Sequence, residues 1–442
     1  MKLNEKKFYE LAKENNFECA DISSTESSTL SLSVFHGEID SYTVSDSFSL
    51  VARGIINGKM GTAAIDNVDK SSPEYLINTI KRGASLIEND DPVSIFKGSE
   101  KYHKKSIFNQ AVLDQNIQEI IGILFEIEDK LKKFDKRINE VVSVGFSRSY
   151  SNYHKTNSHG LKLSQKSAVY SYFCEITAKD GEEIRTGYDV FVSIDPNEFN
   201  IDKFVEKLAK DTLAKLGSVQ VKSKKYPVIL NPESASTLLS FLVSSLDAEE
   251  VQKHTSLFEG KLHQQILSKK LTLIENPLEK NAFFRYFDDE GVATNKKFLI
   301  KNGEISTYLY TLQTAMKDNV SPTGNGYGSG KAHADVGYVI VKPGKKTEDE
   351  LLQQIKEGIY ITELSGLHSG MNANSGNFSL QCAGFMIRDG KKCEPLALIT
   401  VADNLINVFK NIKAIGNNSE LVLSNQMSCP SILIKNMSVS GK

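Results

Sequence analysis

The strongest constraint on the fold is an alternation of polar and apolar side chains that runs from Ser28 to Ile65. A period of two places successive side chains on opposite faces of a β-strand. The pair Asn57-Gly58 interrupts this alternation, and Asn-Gly is a strong signal for the two-residue turn of a β-hairpin. The sequence therefore predicts an antiparallel meander early in the chain.

Helical periodicity follows the meander and returns in the second half of the chain. Apolar residues at helical spacing predict one helix over 117–131. Asn231-Pro232 begins a second helix, with asparagine as N-cap and proline at the first position. The apolar stripe of that helix is Ala235, Leu238, Leu239, Leu242, Val243 and Leu246. Turns at Asn302-Gly303 and Asp389-Gly390 predict further hairpins.

These patterns predict an α+β fold, because strands outnumber helices and do not alternate with them as in βαβ units. We expect an N-terminal α/β domain with an antiparallel meander, over residues 1–220. A C-terminal domain of mainly antiparallel β-sheet with a few helices would follow over residues 221–442. The lysine-rich segment 222–227, KSKKYP, is interpreted as the linker between them.

Composition narrows the functional class. The chain has 53 Lys and Arg against 55 Asp and Glu, a net charge of −2, which gives no electrostatic attraction to nucleic acid or to an anionic membrane. Five cysteines are scattered without a CxxC pair, a pattern that fits reduced thiols better than a disulfide framework. With no long apolar span and no signal peptide, we expect a cytoplasmic protein.

Three consecutive acids, Asp288, Asp289 and Glu290, precede Gly291. In an extended segment Asp288 and Glu290 point to one side and Asp289 to the other, so the three cannot share one metal ion without a sharp turn. The preferred interpretation is a turn in which carboxylates accept backbone N–H bonds. Binding of a peptide or of a neighbouring subunit remains the alternative.

Other candidate motifs fail on spacing. The glycine-rich segment 321–333 lacks the order of residues that a phosphate-binding loop requires. It is better explained as a flexible loop that permits close backbone approach to a peptide or a partner. His154 and His159 have no nearby third ligand, and a catalytic zinc site needs three protein ligands.

Several stretches, taken in order, resemble the TldD/PmbA family, whose members are also named as modulators of DNA gyrase. They are FDDEGVATNKKFLIKNGEI and SPTGNGYGSG in the second half, TNSHGL in the first half, and the closing SCPSILIKNMSVSG. The resemblance extends over nearly the whole chain. It implies a cytosolic, zinc-dependent peptidase system that acts on unstructured peptides.

In this family, zinc belongs to a TldD-type subunit that carries an HExxxH helix. The matching helix here is the one that starts at Asn231, and the motif's two histidines and glutamate are replaced by Ser240, Phe241 and Ser245. Serine is a poor zinc ligand and phenylalanine cannot act as a base. The resemblance therefore implies a PmbA-type (TldE-type) subunit with no cofactor and no catalytic residues of its own, and leaves open whether the chain is an enzyme.

The same resemblance suggests where peptides and partners bind. The candidate substrate groove consists of Asp288, Asp289, Glu290, Gly291, Thr323, Gly324, Asn325 and Gly326. The expected partner is a zinc-bearing TldD-type subunit or a second copy of the chain, in either case forming a dimer. The alternative is a non-enzymatic protein that modulates a partner such as DNA gyrase.

Overall fold

The computed structural model describes residues 2–442. The helices and strands of the first half are α1 (Glu5–Glu14), β1 (Cys19–Phe35), β2 (Glu38–Ile56), β3 (Lys59–Ile65), α2 (Ser72–Ser85), α3 (Gln110–Leu113), α4 (Ile117–Phe134), β4 (Ile138–Asn157), β5 (Lys162–Asp180), β6 (Glu183–Ser193) and α5 (Ile201–Leu213).

The second half begins with β7 (Lys224–Leu230), α6 (Pro232–Ser244), α7 (Ala248–Gln252), β8 (Leu273–Glu275), β9 (Lys297–Lys301), β10 (Glu304–Ile305), α8 (Leu312–Asp318), β11 (Gly326–Tyr327), β12 (His333–Ala334), β13 (Val339–Val341) and α9 (Glu348–Leu352). It continues with β14 (Glu357–Ser365), α10 (Leu367–Gly370), β15 (Asn377–Arg388), β16 (Lys391–Asn404), α11 (Leu405–Lys410), β17 (Ile412–Ile415), β18 (Glu420–Val422), a 3₁₀ turn (Leu423–Asn425), β19 (Met427–Cys429) and β20 (Ile432–Ser440).

The first half is built on one antiparallel sheet with the strand order β3-β2-β1-β4-β5-β6, which confirms the predicted meander. Asn57 and Gly58 both have positive φ, as a tight hairpin turn requires. Side chains on one face of the sheet, including Leu30 and Leu32, are buried against helices α4 and α5. At the other end of that face, Ile22 and Ala52 are buried against α1 and α2.

Hydroxyl groups dominate the opposite face of this sheet, because every second residue is serine or threonine from Ser23 to Ser33 in β1 and from Ser41 to Ser49 in β2. We call this surface the hydroxyl face. It comprises Ser23, Thr25, Ser27, Thr29, Ser31 and Ser33 of β1, Ser41, Thr43, Ser45, Ser47 and Ser49 of β2, Ser147, Ser149 and Ser151 of β4, and Ser167 and Ser171 of β5. The alternation of the sequence thus separates an apolar face from a nearly uncharged polar one.

The second half contains two six-stranded sheets and a short hairpin, β11–β12. Their strands are mostly antiparallel, but β14 pairs with β7 and β13 with β19 in parallel. Helix α6 starts as predicted: the Asn231 side chain accepts a hydrogen bond from the backbone N–H of Ser234 at 2.8 Å. Leu238, Leu239 and Leu242 of α6 are fully buried in the main core. The observed class is the predicted α+β.

The predicted linker is wrong over most of its length. Strand β7 begins at Lys224 inside the KSKKYP segment, where Tyr226 is buried. Lys224 pairs its ammonium group with Glu357 of β14 at 2.6 Å and lies over the ring of Tyr226. The lysine side chains at the start of this strand thus remain hydrated while the backbone pairs, so a lysine-rich segment is compatible with a strand here.

Aromatic side chains and hydrogen bonds join the two halves. Phe284, Tyr286 and Phe287 of the second half share a small apolar cluster with Leu161 and Leu163 of the first. The Tyr286 hydroxyl donates to the carbonyl of Ser164 at 2.6 Å. Within residues 2–442, no helix has the length and apolarity that crossing a membrane requires.

A buried ionic cluster lies on the hydroxyl-face side of β1, β2 and β4. Asp21 accepts hydrogen bonds from Arg53 at 3.0 and 2.5 Å and from the Lys155 ammonium group at 2.8 Å, and all three side chains are almost fully buried. Burial alone would raise the pKa of Asp21, but the two cations outweigh burial and lower that pKa to about 2. One carboxylate therefore neutralises part of the charge of two buried cations.

We expect Asp21→Asn to lower the free energy of unfolding by about 3 to 5 kcal/mol, because it leaves Arg53 and Lys155 buried without their counter-charge. Urea unfolding at pH 7 measures this change. Asp66→Asn is the control, since Asp66 is exposed and should change stability by no more than about 0.5 kcal/mol. Equal effects of the two substitutions would contradict the role given to Asp21.

Candidate functional site

The larger cavity lies between the hydroxyl face and the second half of the chain. Its volume is about 670 Å³. The sheet contributes Ser23, Thr25, Ser49, Ser151, Tyr153, Gln165 and Ser167, and the second half contributes Phe283, Arg285, Asp289, Tyr327 and Ser329, among others. The lining therefore combines small hydroxyls with aromatic rings and a single arginine.

A second cavity of about 420 Å³ runs along helix α6. Ser240, Ser244 and Ser245 line it together with the carboxylates of Asp247, Glu250 and Asp335, and no Lys, Arg or His lies among its lining residues. Asp335, Val336 and Gln426 line both cavities. The two cavities are therefore neighbours, and we call them together the central cleft.

The acidic triplet forms the turn that the sequence predicts. Asp288 accepts hydrogen bonds from the backbone N–H groups of Glu290, Val292 and Gly326 at 2.9 to 3.0 Å. Glu290 accepts from the N–H of Leu312, at the start of α8, at 2.7 Å. Asp288 and Glu290 are buried, whereas Asp289 lines the central cleft. The predicted backbone bonds and the predicted division between two sides are both confirmed.

Asp289 connects the turn to the surface of the cleft. One of its carboxylate oxygens accepts from Arg285 at 2.5 Å, and the other accepts from the N–H of Gly328 at 2.8 Å. The Arg285 guanidinium group also lies 5.0 Å from the ring centre of Tyr327, a favourable cation–π distance. The Tyr327 hydroxyl has no hydrogen-bond partner and is buried, so it lies inside the wall of the cleft and is not presented to it.

Glycines in the 321–333 segment make close contacts with this chain itself. A Cβ atom at Gly326 would lie 2.1 Å from a carboxylate oxygen of Glu290, and one at Gly324 would lie 2.7 Å from the carbonyl of Ala293. Cβ atoms essentially never approach other atoms this closely, so a side chain at either position would force its neighbour to shift. The sequence predicts close backbone approach here to a peptide or a partner, and the structure shows that the approach is to the chain's own acidic turn.

Of the eight predicted groove residues, only Asp289 lines either cavity. Thr323 is half-buried, and the other six are buried: Asp288, Glu290, Gly291, Gly324, Asn325 and Gly326. Arg285 and Tyr327 line the cleft although they are not among the predicted residues. The hydroxyl face was not predicted either, although the segment STLSLS already shows the alternating serines and threonines. A role for these residues in binding substrate stays a proposal.

The residues present do not fit a zinc ion at the family's motif position. The hydroxyls of Ser240, Ser244 and Ser245 donate to carbonyls of their own helix at 2.8 to 3.0 Å, and Phe241 packs against the core. No group of three His, Cys, Asp or Glu suited to a metal occurs within residues 2–442. Cys429 is fully buried, and burial raises the pKa of its thiol.

Comparison with known proteins identifies the class. Three models of the PmbA/TldA metallopeptidase match the chain: domain 1 over residues 20–86, the central domain over 111–216 and the C-terminal domain over 223–441. "Metalloprotease PmbA homolog" of Buchnera aphidicola (subsp. Acyrthosiphon pisum, strain APS) is 30% identical over 84% of this chain and 83% of that protein. "Metalloprotease PmbA" of Escherichia coli O157:H7 is 25% identical over 96% and 92%.

Solved structures agree with this result. A "putative modulator of a DNA gyrase" from Thermotoga maritima has a TM-score of 0.90 and 26% identity, covering 99% of both chains. TldE from Thermococcus kodakarensis, 23% identical, shares the fold with a TM-score of 0.89 over 98% of this chain and all of that one. The chain belongs to the PmbA/TldD metallopeptidase family.

The two aspartates of the turn should show opposite pH effects. Burial, and then the neighbouring Glu290, raise the pKa of Asp288 from 3.8 to about 7, against the effect of its N–H bonds. Burial also acts to raise the pKa of Asp289, but Arg285 and the N–H of Gly328 outweigh it and lower that pKa. The folded state therefore holds the Asp288 proton more tightly than the unfolded chain does, and the Asp289 proton less tightly.

The stability contributed by protonated Asp288 is thus present below pH 3.8 and is lost as the pH rises to about 7. We expect Asp288→Asn to flatten the fall in unfolding free energy between pH 4 and about 7. Asp289→Asn serves as the matched comparison: it should cost about 1 to 2 kcal/mol at pH 7, a lost charge-assisted bond, with a smaller effect in acid. Urea unfolding at several pH values tests both, and identical profiles would contradict the assignment.

Proposed function

We propose that this chain is a PmbA-type subunit that binds unstructured peptides for a zinc metallopeptidase without holding zinc itself. One observation carries the proposal: the central cleft is a substantial cavity, yet serines face it at the positions where the family's motif has its metal ligands. Serine hydroxyls already bonded to helix carbonyls offer neither a zinc ligand nor a general base. Without a metal ligand or a general base, such a cleft can bind a peptide but has no means to cleave it.

The lining of the cleft suits the backbone of a peptide. Hydroxyls both donate and accept hydrogen bonds, so Ser23, Ser151 and Ser167 can pair with peptide N–H and C=O groups whatever the side chains are. Phe283 and Tyr327 offer apolar area. Arg285 supplies N–H donors for a carboxylate or carbonyl group. Sequence-tolerant recognition of an extended chain follows from these groups.

Catalysis then requires a partner, and a TldD-type subunit with the HExxxH helix is the proposed one. A second copy of this chain would add no metal ligands at the α6 position. A cytoplasmic location is part of the same proposal, and the five free cysteines support it.

We expect the purified chain to contain far less than one zinc atom per chain and to leave an unstructured peptide intact. Mixed with a TldD-type subunit, it should form a complex that cleaves the peptide. Elemental analysis, mass spectrometry of the peptide and light scattering measure these three outcomes. One zinc per chain together with chelator-sensitive cleavage by the chain alone would overturn the proposal.

Filling the cleft should block peptide binding. Ser151→Tyr places a ring into the cavity of about 670 Å³ and is expected to weaken binding of a fluorescent unstructured decapeptide at least about tenfold. Thr186→Tyr is the matched control, because Thr186 is an exposed β6 residue outside both cavities. Fluorescence anisotropy gives the affinities. Equal affinities for the two variants would remove the cleft from the proposal.

The alternative is a protein that modulates DNA gyrase, and its support is the name that the Thermotoga maritima relative carries. Gyrase supercoiling assays with and without the purified chain distinguish the two. An effect on supercoiling in the absence of any peptide binding would favour the alternative. Because the net charge is −2, such an effect would come from contact with the gyrase protein and not with DNA.

A further inference from the structure

The outer edge of β2 has no strand beside it over most of its length. Strand β3 pairs with Leu50–Ile56 only, and within residues 2–442 no other strand lies next to Glu38–Ser49 on that side. All residues from Glu38 to Ser47 are exposed. A long unpaired edge is a ready template for another strand, and proteins usually protect such edges with lysine, proline or bulges.

This edge has one bulge, at Asp40, but it carries apolar side chains and has neither lysine nor proline. Tyr42 is 52% exposed and Val44 is 56% exposed, with the 50% exposed Ile39 beyond them. They lie opposite Leu32, Leu30 and Val34 of β1, respectively, and so continue the apolar face of the sheet past the helices that cover it. The outer edge of β2 therefore offers both backbone groups and apolar contact area.

The charges along the outer edge of β2 indicate which kind of strand could pair with it. Between residues 20 and 52 the chain has no Lys or Arg, although it contains 53 in all. The free edge itself has Glu38, Asp40 and Asp46, and Asp40 sits at a β-bulge where its carboxylate accepts a hydrogen bond from Ser33 at 3.0 Å. Two copies pairing through this edge would bring carboxylates together with no cation between them, which is unfavourable.

We propose that the outer edge of β2 docks an edge strand of the TldD-type partner subunit, one that alternates apolar side chains with Lys or Arg. The pairing would extend the six-stranded sheet across the interface. Backbone bonds and contacts to Tyr42 and Val44 supply affinity, and Asp40 and Asp46 select a basic strand over a second copy of this chain. This inference rests on the proposed function and assigns the surface through which the partner binds.

The test compares affinities for a purified TldD-type subunit, a family chain that carries the HExxxH helix. Tyr42→Ser/Val44→Ser should weaken binding at least about tenfold. Ile184→Ser/Tyr188→Ser is the matched control on β6, the opposite edge, where these residues are 52% and 60% exposed; it should leave affinity unchanged. All four side chains are exposed, so both variants are expected to fold.

Charge is tested separately with Asp40→Lys/Asp46→Lys, and Glu182→Lys in the β5–β6 turn is its control. The reversal should weaken binding about tenfold and remove most of its salt dependence between about 0.05 and 0.5 M.

If the wild-type chain binds and the edge variants bind equally well, the edge assignment falls and the proposed function stands. If the wild-type chain does not bind at all, both fall. Loss of a homodimer in the edge variants would make a second copy the occupant and overturn the choice of partner.

Discussion

Buried carboxylates that accept backbone N–H bonds hold the walls of the central cleft in place. Asp288 joins its own turn to Gly326 of the glycine-rich segment, and Glu290 joins it to the start of α8 at Leu312. No regular sheet bridges these segments, so their relative positions depend on these side-chain bonds and on the backbone bond from the Asp289 N–H to the Gly326 carbonyl at 2.9 Å. The position of Arg285 and Tyr327 in the cleft depends in turn on Asp289, the partly exposed member of the same triplet.

Short sequence segments are sufficient to predict many of the turns and the start of one helix. Asn57-Gly58, Asn302-Gly303 and Asp389-Gly390 all adopt positive φ at both positions, because the preference of these residues for tight turns is a property of the short segment itself. The helix beginning after Asn231 was predictable for the same reason: its cap and its apolar stripe are both encoded within one short segment.

Long-range register was not predictable. The association of Asp21, Arg53 and Lys155 requires β1, β2 and β4 to pair in one particular register. A single sequence does not indicate the register in which distant strands pair. The approach of Gly326 to Glu290 likewise joins residues 36 positions apart whose closeness only the fold creates. Lys224 belongs to a strand because Glu357 and Tyr226 lie beside it, which its lysine-rich surroundings could not indicate.

The hydroxyl face has a consequence for how a peptide would be oriented if it binds as proposed. Parallel and antiparallel strands present their N–H and C=O groups in different patterns, and a wall of fixed donors and acceptors would accept only one chain direction. A serine or threonine hydroxyl can rotate and exchange the two roles. Under the proposed function, a peptide running in either direction would meet the same complement of partners there, and any directionality of processing would come from the partner subunit.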